Sequence, residues 1–310
     1  MKIEQITLGN KYPINGKLTL PTTGSAPYPA VVLVQGSGSH DMDETIYAIK
    51  PFRDLAEGLA DLGIASIRYD MSTYTHGKQM VKDLGKHFSV QEEKIDDAIA
   101  ATDLLRKDER IDSDNIFLVG HSLGACIAPR VDLAGGDYAG LVLMAGSPRR
   151  LEEVMIDQQN DFIQNAKGPV KWLVQHLVKG YRKKFAKLYT ISDEEAKEIS
   201  LAGMKLYYLQ DLGATTVAEY LHDYQKPLLV MHPKGDLQVS YEKDFKLYQE
   251  ILKDHPDSTF VSYDGLNHAF MKAHYTDIRK VAKEFKIPQH IEKEVIADIA
   301  AWIKEKGNPA

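Results

Sequence analysis

Three residues of this chain have the types and positions needed to move an acyl group onto a side chain: Ser122, Asp236 and His268. A serine hydroxyl is a weak nucleophile unless a base takes its proton during the attack. A histidine, with a free pKa near ~6.5, accepts and returns that proton around neutral pH. A carboxylate on the other imidazole nitrogen fixes the tautomer and stabilises the imidazolium. Ser122 is therefore the expected nucleophile, His268 the base and Asp236 the orienting acid. The attacked carbonyl also needs two N–H donors aimed at its developing oxyanion. Leu123 is expected to supply one and Ser37 the other, with Gly36 as second choice for that place.

Spacing supports these roles. Ser122 lies in Gly120-His121-Ser122-Leu123-Gly124, after the apolar run Ile116-Phe117-Leu118-Val119 and before the helix-like Ala125-Cys126-Ile127-Ala128. Strand, tight turn and helix is the context in which Gly-x-Ser-x-Gly presents an exposed, strained serine. By composition alone the pattern arises in about one chain in ten of this length, so its context and partners carry the weight. Asp236 lies in His232-Pro233-Lys234-Gly235-Asp236 and His268 in Asp264-Gly265-Leu266-Asn267-His268, each just after a predicted strand. Loops at the carboxyl ends of parallel strands are where such sheets place their chemistry.

Other residues compete. His121 adjoins the serine, but neighbouring side chains on a tight turn point apart, so it reads as a packing neighbour. His40, His76 and His232 also fall near strand ends and could touch a ligand. Cys126, one helical turn after Ser122, reads as core packing rather than a thiol nucleophile. Gly36-Ser37-Gly38 has neither the Lys-Ser/Thr of a phosphate loop nor the third glycine of a dinucleotide fingerprint. The eleven histidines show no His-Glu-x-x-His and no helical repeat, so no metal is expected.

The elements that must position these residues are legible in outline. Residues 2–20 read as a β-hairpin, with turns at Asn10 and Asn15-Gly16. Predicted strands cover 28–35, 64–69, 116–119, 141–146, 226–232 and 258–263. Predicted helices cover 51–62, 90–105, 241–252 and 289–304, and 70–86 reads as a polar loop. Strands alternating with helices imply a mostly parallel sheet covered on both faces. That alternation stops between 149 and 225, where helical periodicity continues without a buried strand. The reading is an α/β core of residues 1–148 and 226–310 with a helical lid insertion at 149–225. Trp172, Tyr207 and Tyr208 of the insertion are expected to line an acyl pocket. Residues 162–192 carry seven Lys or Arg and no acid. A solvated lid face explains that charge more simply than a membrane-binding helix.

Composition sets the outer bounds. The 310 residues are 44% hydrophobic and 26% charged, ordinary for a globular chain. A net charge of −6 argues against nucleic-acid binding. One cysteine fits a reducing compartment, and the absence of a leader-like N-terminus or long apolar run makes the cytoplasm the expected address.

With these residues in place, the chain resembles the α/β-hydrolase superfamily, specifically bacterial serine carboxylesterases with a helical lid. Besides the Ser122 turn, the resemblance rests on Gly36-Ser37-Gly38 with Asp43-Glu44, on Pro51-Phe52-Arg53-Asp54-Leu55-Ala56, and on Arg68-Tyr69-Asp70. It rests further on Gly235-Asp236-x-Gln238-Val239 and Gly265-Leu266-Asn267-His268. It implies hydrolysis of a small-molecule carboxylic ester through an acyl-enzyme, without cofactor. The chain departs from the pattern at Gln35, where histidine is usual, and at Met71-Ser72, where basic residues are commoner. Peptide, thioester or acyl-transfer chemistry on the same three residues stays open, as does a ligand receptor that keeps the fold without turnover.

Overall fold

The computed structural model describes residues 1–9, 11–201 and 203–307. In chain order the strands of the main sheet are β1 (Lys2–Leu8), β2 (Ile14–Leu20), β3 (Tyr28–Val34), β4 (Ala65–Tyr69), β5 (Ile111–His121) and β6 (Leu141–Met144). A two-residue pair, β7 (Ser200–Leu201) and β8 (Met204–Lys205), stands apart, and β9 (Leu228–Pro233) and β10 (Ser258–Tyr263) complete the sheet. The strand order is β1-β2-β4-β3-β5-β6-β9-β10. All pairings from β4 through β10 are parallel, while β1 and β2 run antiparallel at one edge.

Successive residues of β3 bury on opposite faces, which is why it reads as one unbroken apolar run. Val31 and Leu33 pack with helix α1 (Pro51–Asp61) and the closing helix (Lys293–Gly307). Ala30, Val32 and Val34 pack with α3 (Asp96–Arg106), α4 (Leu123–Val131) and residues near α10 (Lys246–Ile251). Helix α1 buries Phe52, Leu55, Ala56 and Leu59, the face its spacing implies. The sheet and its two helical layers are those of the α/β-hydrolase fold, as expected.

Several expectations need correction. Asn15-Gly16 is not a turn: both residues lie within β2, opposite Thr7 and Ile6. Gly16 is there for a close approach, since a Cβ would stand 2.8 Å from the Arg68 carbonyl oxygen of β4. The other expected turn, at Asn10, falls outside the described residues. The stretch read as a polar loop from 70 to 86 contains α2 (Ser72–Leu84). Its N-terminus is capped from a distant element: Asp97 accepts from the Ser72 N–H at 2.7 Å and from its hydroxyl. Local sequence does not show such a cap. The helix read over 90–105 opens with a π-helical turn, Gln91–Ile95. The one read over 241–252 does the same, with Tyr241–Phe245. The closing helix starts at Lys293 rather than 289.

Between β6 and β9 lie five helices: α5 (Leu151–Asn165), α6 (Gly168–Phe185), α7 (Asp193–Glu198), α8 (Leu206–Gly213) and α9 (Val217–Leu221). Among the described residues, the β7–β8 pair is the strand structure that interrupts them. None of the described helices is long and apolar enough to cross a membrane.

Candidate active site

Ser122 sits where β5 ends and α4 begins, with φ 55° and ψ −117°. A non-glycine residue in that region is strained, and the surrounding packing must hold it there. Two close approaches do so. A Cβ on Gly124 would collide with the Val34 carbonyl oxygen, and one on Gly120 with the Gly124 carbonyl. The Ser122 N–H donates to Met144 O at 2.8 Å, tying the turn to the end of β6. Its hydroxyl makes no hydrogen bond to another described residue and opens into a cavity of about 490 Å³.

His268 lines the same cavity from the loop after β10. Its Nδ1 lies 2.6 Å from Asp236 Oδ2. The other Asp236 oxygen accepts from the N–H groups of Gln238 and Val239, at 2.7 and 3.1 Å. Burial would raise this carboxyl, but the charge and hydrogen bond of His268 outweigh it and hold it below the usual range. His232 lies beneath, 3.8 Å from Asp236 Oδ2. Burial pulls its pKa down, which favours the neutral ring, and its Nε2–H donates to Val239 O. An uncharged His232 leaves Asp236 to His268.

The loop after β3 forms the facing wall. Ser37 and Leu123 both line the cavity, and neither N–H has a partner among the described residues. Gly36, the second choice as donor, is committed elsewhere: its N–H donates to Glu44 Oε1 at 2.7 Å. Gln35, at the departure from the usual pattern, donates from Nε2 to Tyr69 O at 2.6 Å and ties this loop to β4. His40 holds the Ser37 carbonyl through Nε2 at 2.8 Å. His76 lies away from the cavity, bonded to Pro13 O.

His121 does more than pack. Its Nδ1 meets both Glu44 oxygens at 3.0 and 3.1 Å, and its Nε2 meets His268 O at 3.0 Å. A backbone carbonyl only accepts, and an ionised Glu44, which its lowered pKa favours, accepts from both Gly36 and Nδ1, so both ring nitrogens of His121 then donate. That is an imidazolium. Burial lowers its pKa, but Glu44 raises it further, and Glu44 is correspondingly held low by His121 against its own burial. The pair joins three loops: the one after β3, the Ser122 turn and the one carrying His268. Asp43-Glu44 stands out in the sequence, but only the fold shows what Glu44 holds.

The aromatic lining foreseen from the sequence does not form. Trp172 is 69% exposed on α6, beside His176. Tyr208 is buried, donates to Glu93 and stacks on Phe88. Tyr207 packs under Lys197, 4.8 Å from the ring centroid. None of the three reaches the cavity. Its apolar wall comes instead from Ile127 of α4, from Leu151, Val154 and Met155 of α5, and from Leu212 and Val217. Helical periodicity through 149–225 does not say which surface the apolar face of α5 meets. Cys126 also lines the cavity; burial pushes its thiol up to about 12, so it is no thiolate nucleophile. Arg130, Arg149 and Arg150 border the space. Arg130 is paired with Asp211, and Arg149 with Asp244 and Asp157.

Sheet order, strained serine turn and the histidine–carboxylate pair beside it define a protein of the α/β-hydrolase class. Comparison with known proteins narrows this. The Hydrolase_4 family model, described as serine aminopeptidase, S33, matches residues 26–273, and the chain belongs to that family. Esterase EstD of Thermotoga maritima is 33% identical over 291 residues, which cover 93% of this chain and 65% of EstD. The chain thus spans about two-thirds of that relative's length. Among solved structures, Est1E from Butyrivibrio proteoclasticus superposes with a TM-score of 0.56 at 15% identity, covering 96% of this chain and 99% of Est1E. The proline iminopeptidase of Mycobacterium smegmatis gives 0.61 at 15% identity, covering 98% of each chain. At these identities the two structures speak for the fold alone.

Proposed function

We propose that the chain is a serine hydrolase that cleaves small or medium carboxylic esters through an acyl-enzyme on Ser122. The observation that carries this is the 2.6 Å His268–Asp236 contact in the wall of the cavity into which Ser122 opens. In the proposed reaction His268 Nε2 takes the Ser122 proton as Oγ attacks the ester carbonyl, and Asp236 stabilises the imidazolium. The N–H groups of Ser37 and Leu123 receive the oxyanion. His268 returns the proton to the leaving alcohol. A water molecule activated by the same imidazole then releases the acid. No step calls for a cofactor. EstD is named an esterase, which agrees with this reading.

The family description includes the word aminopeptidase, which makes peptide cleavage the second reading. An aminopeptidase must pair the free ammonium of its substrate with an acceptor, usually a carboxylate. Glu44 is the one acid among the described lining residues, and it is already engaged by His121 and Gly36. Two of the three bordering arginines are already paired with acids, and Arg150, which has no carboxylate partner among the described residues, adds positive charge rather than an acceptor. The lining therefore favours an ester. We further propose residues 149–225 as a lid, because α5, α8 and α9 contribute much of the apolar wall. The cytoplasmic address is retained on the single cysteine.

Initial rates on p-nitrophenyl esters of two to eight carbons, set beside aminoacyl and prolyl p-nitroanilides, test the reading. We expect ester turnover with a chain-length optimum, lost in Ser122→Ala. Faster anilide cleavage would favour the peptidase. Tight ligand binding without turnover of any substrate would favour a receptor.

A further inference from the structure

Behind the cavity wall lies a buried lysine that the proposed reaction does not use. Lys94 stands on the π-helical turn ahead of α3 and is 2% exposed. Its Nζ donates to the Gly36 carbonyl oxygen at 2.7 Å and lies 3.6 Å from Met71 Sδ. No carboxylate pairs with it at ion-pair distance among the described residues, and a buried cation without such a partner is costly to keep. Burial draws its pKa below the usual lysine range, and Glu93, Glu44 and Asp97 offset part of that pull.

The acceptor is what matters. The Gly36 carbonyl and the Ser37 N–H belong to one planar trans peptide, so they point in opposite directions. A cation clamped on the oxygen fixes the direction of the N–H. It also draws electron density through the amide and makes that N–H a stronger donor. The peptides on either side are held as well: Glu44 takes the Gly36 N–H at 2.7 Å, and His40 holds the Ser37 carbonyl at 2.8 Å. Turning the Gly36–Ser37 peptide over would break the Lys94 bond to the Gly36 carbonyl.

We infer that Lys94 is a positioning residue for the oxyanion: through the Gly36 carbonyl it orients and polarises the Ser37 N–H that faces the reacting carbonyl. Lys94 touches no substrate and transfers no proton. The inference rests on the serine-hydrolase reading. Support for Lys94 adds a requirement that the Gly-x-Ser-x-Gly turn alone does not reveal: a lysine on the opposite side of the loop from the nucleophile.

The test uses Lys94→Met, which keeps chain length and removes the charge, and Lys94→Gln, which keeps a neutral donor. Removing an oxyanion donor outright costs about 100- to 1000-fold in kcat, and misaligning one costs less. We expect Lys94→Met to lower kcat by about 10- to 100-fold with KM within about threefold, and Lys94→Gln to fall between it and the wild type. Affinity for an alkylboronic acid, whose tetrahedral adduct places an oxygen in the same hole, should weaken by the same factor as kcat/KM. Affinity for the carboxylic acid product should not change. A folded Lys94→Met with wild-type kcat overturns the inference. So does a loss of rate with undiminished boronate affinity, or failure of both variants to fold, either of which assigns Lys94 a purely structural part. Ser122→Ala, run alongside, separates the two readings: if it keeps ester turnover, the serine-hydrolase reading itself fails.

Discussion

His121 and His268 lie with ring centroids 4.9 Å apart, and their hydrogen bonds assign them different work. His268 has a carboxylate on one nitrogen and the cavity on the other side. His121 spends both nitrogens on structure. In Asp236→Asn we expect kcat to fall by about 10⁴-fold with the fold intact, because the amide favours the wrong tautomer. Steady-state rates and circular dichroism check this. The Glu44–His121 pair makes a second expectation about pH. The Glu44 pKa is depressed, so its contribution is complete above its ordinary 4.5 and is lost as pH falls through the lower folded value. The His121 pKa is raised, so its contribution is complete below 6.5 and is lost as pH rises through the higher folded value. The pair therefore stabilises most between those two ordinary values. Breaking it in Glu44→Gln should cost about 3–5 kcal/mol there, and less toward either extreme. Melting temperatures of both proteins from pH 4 to 9 would show a flat difference if the pair were not ionised. Ser122, Asp236 and His268 stand out in the sequence because each sits at a strand-to-loop junction. Lys94 does not, and Glu44 does so only as part of the Asp43-Glu44 resemblance, without a role. Lys94 does fall on the inward stripe with Val90, Ala98 and Ala101, an anomaly that periodicity can flag but not explain.

Among the elements, the serine turn is the most constrained, because β3 and α4 meet there with no room for a side chain. Gly124→Ala must push its Cβ into the Val34 carbonyl, and we expect a loss of about 3 kcal/mol or more, measured by urea unfolding. A wild-type midpoint would mean that strand and helix can separate without cost. The helices after β6 divide by face. Leu151→Ala and Met155→Ala should shift the acyl chain-length optimum or raise KM, whereas Trp172→Ala, on the outer face of α6, should leave kinetics unchanged. The parallel strands were readable as short apolar runs, and β10 matches its expected bounds. Helix α2 was not readable, because the group that caps it is Asp97, far along the chain. The Asn-Gly pair misled because Gly16 answers a packing need between β1 and β4 rather than a turn.

Across the whole molecule, the segment between β6 and β9 is bound to the sheet layer by charge as well as by apolar contact. Arg149 reaches the fully buried Asp244 at 2.8 and 3.0 Å and Asp157 of α5 at 2.9 Å. Ser147 and the Ser240 N–H complete the shell of Asp244. Arg149→Met would leave that carboxylate buried and short of its cation, a loss of about 3–5 kcal/mol. Calorimetry should show a fall in Tm of several degrees, and an unchanged Tm would mean that solvent reaches Asp244. A helical interruption at 149–225 was legible because strand signals lapse there. Its packing was not, since an amphipathic helix does not announce which surface it meets.

The claim that Ser122 is an activated nucleophile is tested most directly by intact mass after treatment with a fluorophosphonate, with the modified peptide sequenced. A single adduct is expected on Ser122 of the folded wild type, formed much more slowly in His268→Ala and absent in Ser122→Ala. No adduct on folded wild type, or one on another residue, would contradict the account.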